Sequence, residues 1–324
     1  MPLFFCFRLS VRSVSFYFNL VMSNKSDIRE FHQSAGAQFC RVGNEGLVEK
    51  YQNESVEYGY LTQTVGLLDF SARGRLCVCG DDRVRFLNGQ VTNDVKILKY
   101  FEGCYAALVD AKAKMQSDLF LYQLPDEILL DMEPGYGPAV IKRLESHIIA
   151  EEVRVSDVSD LFGLLTIQGP LAEESLRALF SDLSFPDAPF QICVNESPQF
   201  GEVYIVNHAR LGSSGFDCFL RTESVVDMAK AFKSPLEEQG GGYCGWRAFE
   251  TVRIEKSIPR FGADLDESTL PPEAGLEKTA ISVRKGLHGF GTMEKPRDFC
   301  AGLNSIHLLG NYRKREPRLF LMEK

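Results

Sequence analysis

The sequence predicts an α+β fold of layered sheets and helices, and three observations carry that prediction. Strand-like stretches pair locally: Leu119 to Leu124 and Glu127 to Met132 flank a Pro125-Asp126 turn. Helix-like stretches are amphipathic: Tyr136 to Ile149 sets Val140, Leu144 and Ile148 four residues apart. The two kinds are mixed without the regular strand–helix alternation of a parallel sheet. A length of 324 residues leaves room for two sizeable cores.

In chain order, residues 1–21 carry Arg8 and Arg12, no acidic residue and several phenylalanines, with Met22 directly after. They read either as a targeting segment or as an overlong start ahead of Met22, and are set aside as a non-core extension. Gly74 to Gly80 alternates as a strand. Asp81 and Asp82 then offer a helix N-cap, Val84, Phe86 and Leu87 a short apolar face, and Gly89 a left-handed end. The polar cluster Gln90, Thr92, Asn93 and Asp94 reads locally as a turn. Leu164 to Ile167 is a buried strand, and Pro170 opens a helix to about Phe180. Tyr204 to Ala209 and Asp217 to Arg221 read as strands, Ser224 to Phe232 and Gly245 to Lys256 as helices.

Composition narrows the function. A net charge of −8 argues against non-specific nucleic-acid binding, which needs clustered positive charge. No apolar run of about 18 residues lies in the body, so no membrane span is expected there. The nine cysteines include no Cys-x-x-Cys and no histidine at zinc spacing, so no metal site is expected. Scattered thiols fit a reducing compartment, which favours the cytoplasm, or mitochondria if residues 1–21 are a transit peptide. The five histidines form no pair, and no Ser-His-Asp grouping or P-loop is visible.

Several segments in order resemble the aminomethyltransferase family, which comprises the T-protein of the glycine cleavage system and its folate-binding relatives that maintain iron–sulfur enzymes. They are Gly66-Leu67-Leu68-Asp69-Phe70-Ser71, Leu87-Asn88-Gly89-Gln90-Val91-Thr92-Asn93-Asp94, and Lys114-Met115-Gln116-Ser117-Asp118-Leu119. Gln168-Gly169-Pro170, Gly215-Phe216-Asp217, and Gly245 to Glu255 followed by Pro259 to Leu265 extend the match to roughly residues 40–286. The resemblance implies folate-binding α/β domains around a central channel. A first domain then runs over 22–160, and a second domain with a return segment over 161–286. Asn88-Gly89-Gln90 is more like the iron–sulfur branch than T-protein proper.

The resemblance also implies a cofactor, tetrahydrofolate, and the residues that meet it. Asp118 matches the family carboxylate that orients and activates N5 of the pterin, and is the catalytic candidate. Asp217 stands where the family has a glutamate, one methylene longer, that accepts from the pterin edge. Arg247 matches a family arginine lining the folate site, and Arg253 completes the Arg-x-Glu of the same helix, where an internal ion pair is the alternative. Asn93 is a binding candidate at the channel mouth. Tyr105 can stack on a pterin but is read as core, as is Trp246.

After Gly286 the family pattern stops, and Leu287 stands where the iron–sulfur branch has cysteine. Residues 287–324 read as a divergent or truncated tail, and the family's C-terminal β-barrel as missing or altered. Three functions follow as expectations. One is aminomethyl transfer to tetrahydrofolate from a lipoyl carrier protein. Another is non-catalytic folate binding in support of iron–sulfur enzymes. The third is an inactive family member.

Overall fold

The computed structural model describes residues 26–42, 45–181 and 184–282. Helix α1 (26–34) leads into the hairpin of β1 (Gln38–Val42) and β2 (Glu45–Lys50). Helix α2 (Glu54–Gln63) starts on Asn53, whose side chain accepts from the Ser55 amide at 2.9 Å. Next come β3 (Gly66–Asp69), β4 (Gly74–Cys79), α3 (Arg83–Gln90), β5 (Glu102–Val109), β6 (Met115–Gln123) and β7 (Glu127–Met132). The middle of the chain forms α4 (Gly137–Glu145), β8 (Arg154–Asp157), β9 (Phe162–Gln168) and α5 (Ala172–Leu179). The rest forms β10 (Ile192–Ser197), β11 (Gly201–Asn207), β12 (Gly215–Arg221), α6 (Val225–Ala231), α7 (Lys233–Glu238), β13 (Gly242–Tyr243) and α8 (Trp246–Glu255).

Two large sheets result, one ordered β5-β6-β7-β4-β8 and the other β10-β11-β12-β9-β3-β13. Alternation along each strand sorts side chains between two faces. In the first sheet Leu76, Val78, Leu119, Leu121, Ile128 and Leu130 turn outward and pack on Val140 and Leu144 of α4. In the second, Leu165, Ile167, Phe216 and Cys218 pack outward on Leu176, Met228 and Leu236 of α5, α6 and α7. The inner faces share one core, in which Cys77, Tyr122 and Leu129 meet Leu68, Leu164, Val206 and Phe219. Trp246, Phe249 and Val252 of α8 join that core. A fourth cluster docks Phe261, Leu265, Leu276 and Ala280 onto Ala107 and Met115. The inner faces are therefore the place where polar side chains from both halves of the chain are forced together.

This is the mixed sheet-and-helix architecture the sequence implies, and no closed barrel is present among the described residues. The pairing of β6 with β7 across Pro125-Asp126, and the buried Val140 and Leu144 of α4, match the expected pattern. Other details differ. Gly89 lies inside α3 rather than ending it in a left-handed conformation. The helix stops because Val91 is extended and bridges to Leu108, where a helix cannot continue. Asp82 holds the N-cap position without capping, because its carboxylate accepts from the Glu152 amide at 3.0 Å and pairs with Arg85 at 3.1 Å. Helix α5 opens at Ala172, two residues after Pro170. His208 lies just beyond β11 rather than within a strand. Gly66–Asp69 pairs with β9 in the second sheet. The expectations for residues 1–21 and for the tail from Leu287 fall outside the described residues.

Candidate functional site

The inner face of the first sheet carries polar groups that an apolar strand would not normally contain. Register places Tyr105 opposite Phe120, Phe120 opposite Asp131, and Asp131 opposite Arg75 in a row across four strands. Asp131 and Arg75 are fully buried, so each must find a partner inside the protein. Arg75 meets backbone carbonyls, donating to Ser71 O at 2.6 Å and Ser159 O at 2.8 Å, and burial pulls its guanidinium down to about 10.

Asp131 instead belongs to an unbroken chain of alternating charges that links both sheets to the segment after α8. Asp217 on β12 pairs with Arg210 at 2.6 Å, and Arg210 with Asp131 at 2.9 Å. Arg73 pairs with Asp131 at 2.9 Å and also with Glu133. Arg260 bridges Glu133 and Glu250, both at 3.1 Å, and Arg253 bridges Glu250 and Asp264, both at 2.6 Å. His208 ends the chain, with Nδ1 donating to Asp217 Oδ2 at 2.8 Å. Burial opposes ionisation of Asp217 and Asp131, yet their arginines hold both carboxyls below the usual carboxylate range. Burial, with the Arg210 charge, keeps His208 below its ordinary value and so favours the neutral ring.

Asp118 is the exception among these acids. It lies on β6 two residues before Phe120, on the same face, and is 6% exposed. Its Oδ2 accepts from the Tyr105 hydroxyl at 3.0 Å, and no arginine pairs with it among the described residues. Burial foremost pushes its carboxyl up to about 6. Beside it runs an aromatic strip that is only partly covered. Phe120 sits 4.9 Å from Tyr105 and 5.8 Å from Phe190, measured between ring centroids, with His208 at 4.3 Å. The guanidinium of Arg210 lies 5.2 Å from the Phe120 ring centre. A protonatable carboxyl at the edge of half-open rings suits a flat heterocycle that carries an exchangeable proton.

The expected site residues distribute as follows. Asn93 adjoins Asp118 through Tyr105, donating from Nδ2 to Tyr105 O at 3.0 Å. Asp217 reaches the same region across Phe120 and His208, but both of its oxygens already accept from Arg210. Arg253 is buried in ion pairs and donates to Ile258 O at 3.1 Å, the internal-pair alternative, so it locks α8 to the following turn. Arg247 is not brought to the site. It leaves α8 about half exposed and pairs with Glu49 at 2.7 Å on β2. Trp246 is core, as expected, under the Arg260 guanidinium.

Phe120, Arg73, Arg210, Asp131 and His208 are not among the site candidates that the sequence offers. For Asp131 a signal was present, since a lone acid inside Ile128-Leu129-Leu130-Asp131-Met132 is rarely left unpaired. The others depend on pairing between distant strands. No group of three His, Cys, Asp or Glu among the described residues is arranged to hold a metal ion, and no described helix is long and apolar enough to cross a membrane.

Comparison with known proteins places this arrangement. The chain is 26% identical over 251 residues to an aminomethyltransferase of Clostridium botulinum (strain Loch Maree / Type A3), covering 77% of this chain and 68% of that one. It is 25% identical over 275 residues to the aminomethyltransferase of Thermotoga maritima, covering 85% and 75%. The crystal structure of glycine cleavage system aminomethyltransferase T from Bartonella henselae superposes with a TM-score of 0.72 at 23% identity, covering 81% and 72%, which establishes the shared fold. The sequence model of the GCVT N-terminal domain matches residues 28–285, most of the length, and the chain belongs to that family, the family of the aminomethyltransferases.

Proposed function

We propose that this protein is a tetrahydrofolate-dependent aminomethyltransferase with Asp118 as its acid–base residue. The single observation that carries the reading is a buried, protonatable Asp118 beside a half-open aromatic strip, in a chain whose named relatives are aminomethyltransferases. Tetrahydrofolate supplies the nucleophilic nitrogen that takes up the one-carbon unit.

The residues present fit the ring end of such a cofactor. Tyr105, Phe120 and Phe190 offer ring faces for stacking, and Asp118 offers a carboxyl at their edge. Tyr105 occupies Oδ2, which leaves Oδ1 to exchange a proton with the bound ligand. Tyr105 also fixes the carboxyl plane, and Asn93 fixes Tyr105 by holding its backbone. Asp217 acts indirectly in this reading, by holding Arg210 and His208 under Phe120. Arg73 and Arg210 are committed to carboxylates, so the anionic tail of folate must be met elsewhere. The donor in this reading is an aminomethyl group on a lipoyl-bearing carrier protein, and the products are a methylene-folate and ammonia.

The test is ammonia release by the full chain from an aminomethylated lipoyl carrier, with and without tetrahydrofolate. Release should require the folate and fall by roughly 100- to 10,000-fold in Asp118→Asn. Undiminished release in that variant, or release indifferent to folate, contradicts the reading.

A further inference from the structure

Glu133 lies one residue beyond β7, in a position set by the register. Phe120 faces Asp131 and Gly74 faces Met132, so continuing the first pairing by two residues and the second by one brings Glu133 between Asp118 and Arg73. It is 5% exposed, and water does little to screen its charge. Two cations pin it. Arg73 donates from Nη1 to Oε1, and Arg260 donates from Nη1 to Oε2 at 3.1 Å.

Arg260 is itself held in place by its surroundings. Its Nε donates to Glu250 Oε1 at 3.1 Å, its amide to Asp264 Oδ2 at 3.0 Å, and its guanidinium lies 5.1 Å from the Trp246 ring centre. The next residue, Phe261, is 1% exposed and packs with Ala107 of β5 and Met115 of Asp118's own strand, β6. Every cation of the charge chain is shared between two carboxylates, so none is left over for Asp118.

We propose that Glu133 is the positioning residue of the Asp118 site: a fixed negative charge, pinned by Arg73 and Arg260, through which the segment after α8 sets how tightly Asp118 holds its proton. The charged and titratable groups facing Asp118 pull in opposite directions. Tyr105 on β5 donates a hydrogen bond and Arg73 ahead of β4 favours the anion, while burial and the Glu133 charge favour the acid, and Tyr136 at the head of α4 is neutral. This inference rests on the reading of Asp118 as the acid–base group, but its readout does not.

The experiment is a carboxyl-carbon NMR titration of Asp118 in the full chain, with its resonance assigned by loss in Asp118→Asn. Wild type is compared with Glu133→Gln and Arg260→Met. In Glu133→Gln the midpoint should fall by about one pH unit or more, because a negative neighbour is gone and Arg73 is less compensated. In Arg260→Met it should rise, because one of the two cations paired with the Glu133 carboxylate is lost. An unmoved midpoint in folded Glu133→Gln overturns the proposal. If that variant does not fold, a midpoint that fails to rise in Arg260→Met overturns it instead. Shifts of the expected sign in a protein without transfer activity leave this inference standing and remove the proposed reaction. A transfer pH profile whose limb follows the NMR midpoints supports both.

Discussion

Asp217 and Asp118 are both buried aspartates on inner strand faces, yet the protein shifts their carboxyls in opposite directions. Asp217 accepts from Arg210 and His208 and is held as an anion against the cost of burial. Asp118 accepts only a tyrosine hydroxyl at Oδ2, and burial leaves its carboxyl near 6. The same side chain is thus a structural anion on β12 and, in the proposed reading, a proton carrier on β6. What separates them is whether a guanidinium reaches the carboxylate, a general way for one fold to set acids apart.

The comparison breaks most severely if the structural side is cut. Arg210→Ala leaves buried Asp217 with no cation but His208 and buried Asp131 with Arg73 alone, and should cost about 3–5 kcal/mol in urea unfolding. A loss below about 1 kcal/mol would mean that water reaches the pair. The proton-carrying side should respond in reverse. Asp118→Asn removes a carboxylate that is costly to ionise in the fold, so at pH 8 the variant should be more stable by about 1–3 kcal/mol while losing transfer activity.

The pH dependence sharpens the same contrast. The Asp118 carboxyl is raised when folded, so its contribution is present below the unfolded value of about 3.9 and is lost as pH rises through about 6. The stability gain of Asp118→Asn should accordingly vanish by about pH 4. Asp217 and Asp131 are lowered when folded, so their contribution is present above about 3.9 and is lost as pH falls further, which should appear as acid unfolding. The smallest effect is expected at Arg247. Its half-exposed pair with Glu49 is worth at most about 1 kcal/mol, and Arg247→Ala should leave both unfolding and transfer nearly unchanged.

Local physics made much of the fold legible. Pro125-Asp126 announces the β6–β7 hairpin, and Val140 and Leu144 announce the buried stripe of α4. The short strand Gly66–Asp69 was unreadable in its pairing, because its partner β9 lies about a hundred residues on and nothing local selects the second sheet over the first. The same holds for the site. Asp118 stood out through the family resemblance, and Asp131 can be suspected as an acid in an apolar strand. Arg210 and His208 sit in an unremarkable stretch after β11, and only the facing of two sheets gives them partners. Arg247 shows the converse: its helix was legible, but the face it occupies on α8 is decided by packing against β2 and α2.

The most direct test of the folate reading is calorimetric titration of the full chain with tetrahydrofolate, alongside Phe120→Ala and Arg247→Ala. Roughly micromolar binding by wild type, weakened about tenfold or more in Phe120→Ala and retained in Arg247→Ala, is the predicted result. No binding by the folded wild-type chain, or binding lost in Arg247→Ala and kept in Phe120→Ala, would contradict a folate site beside Asp118.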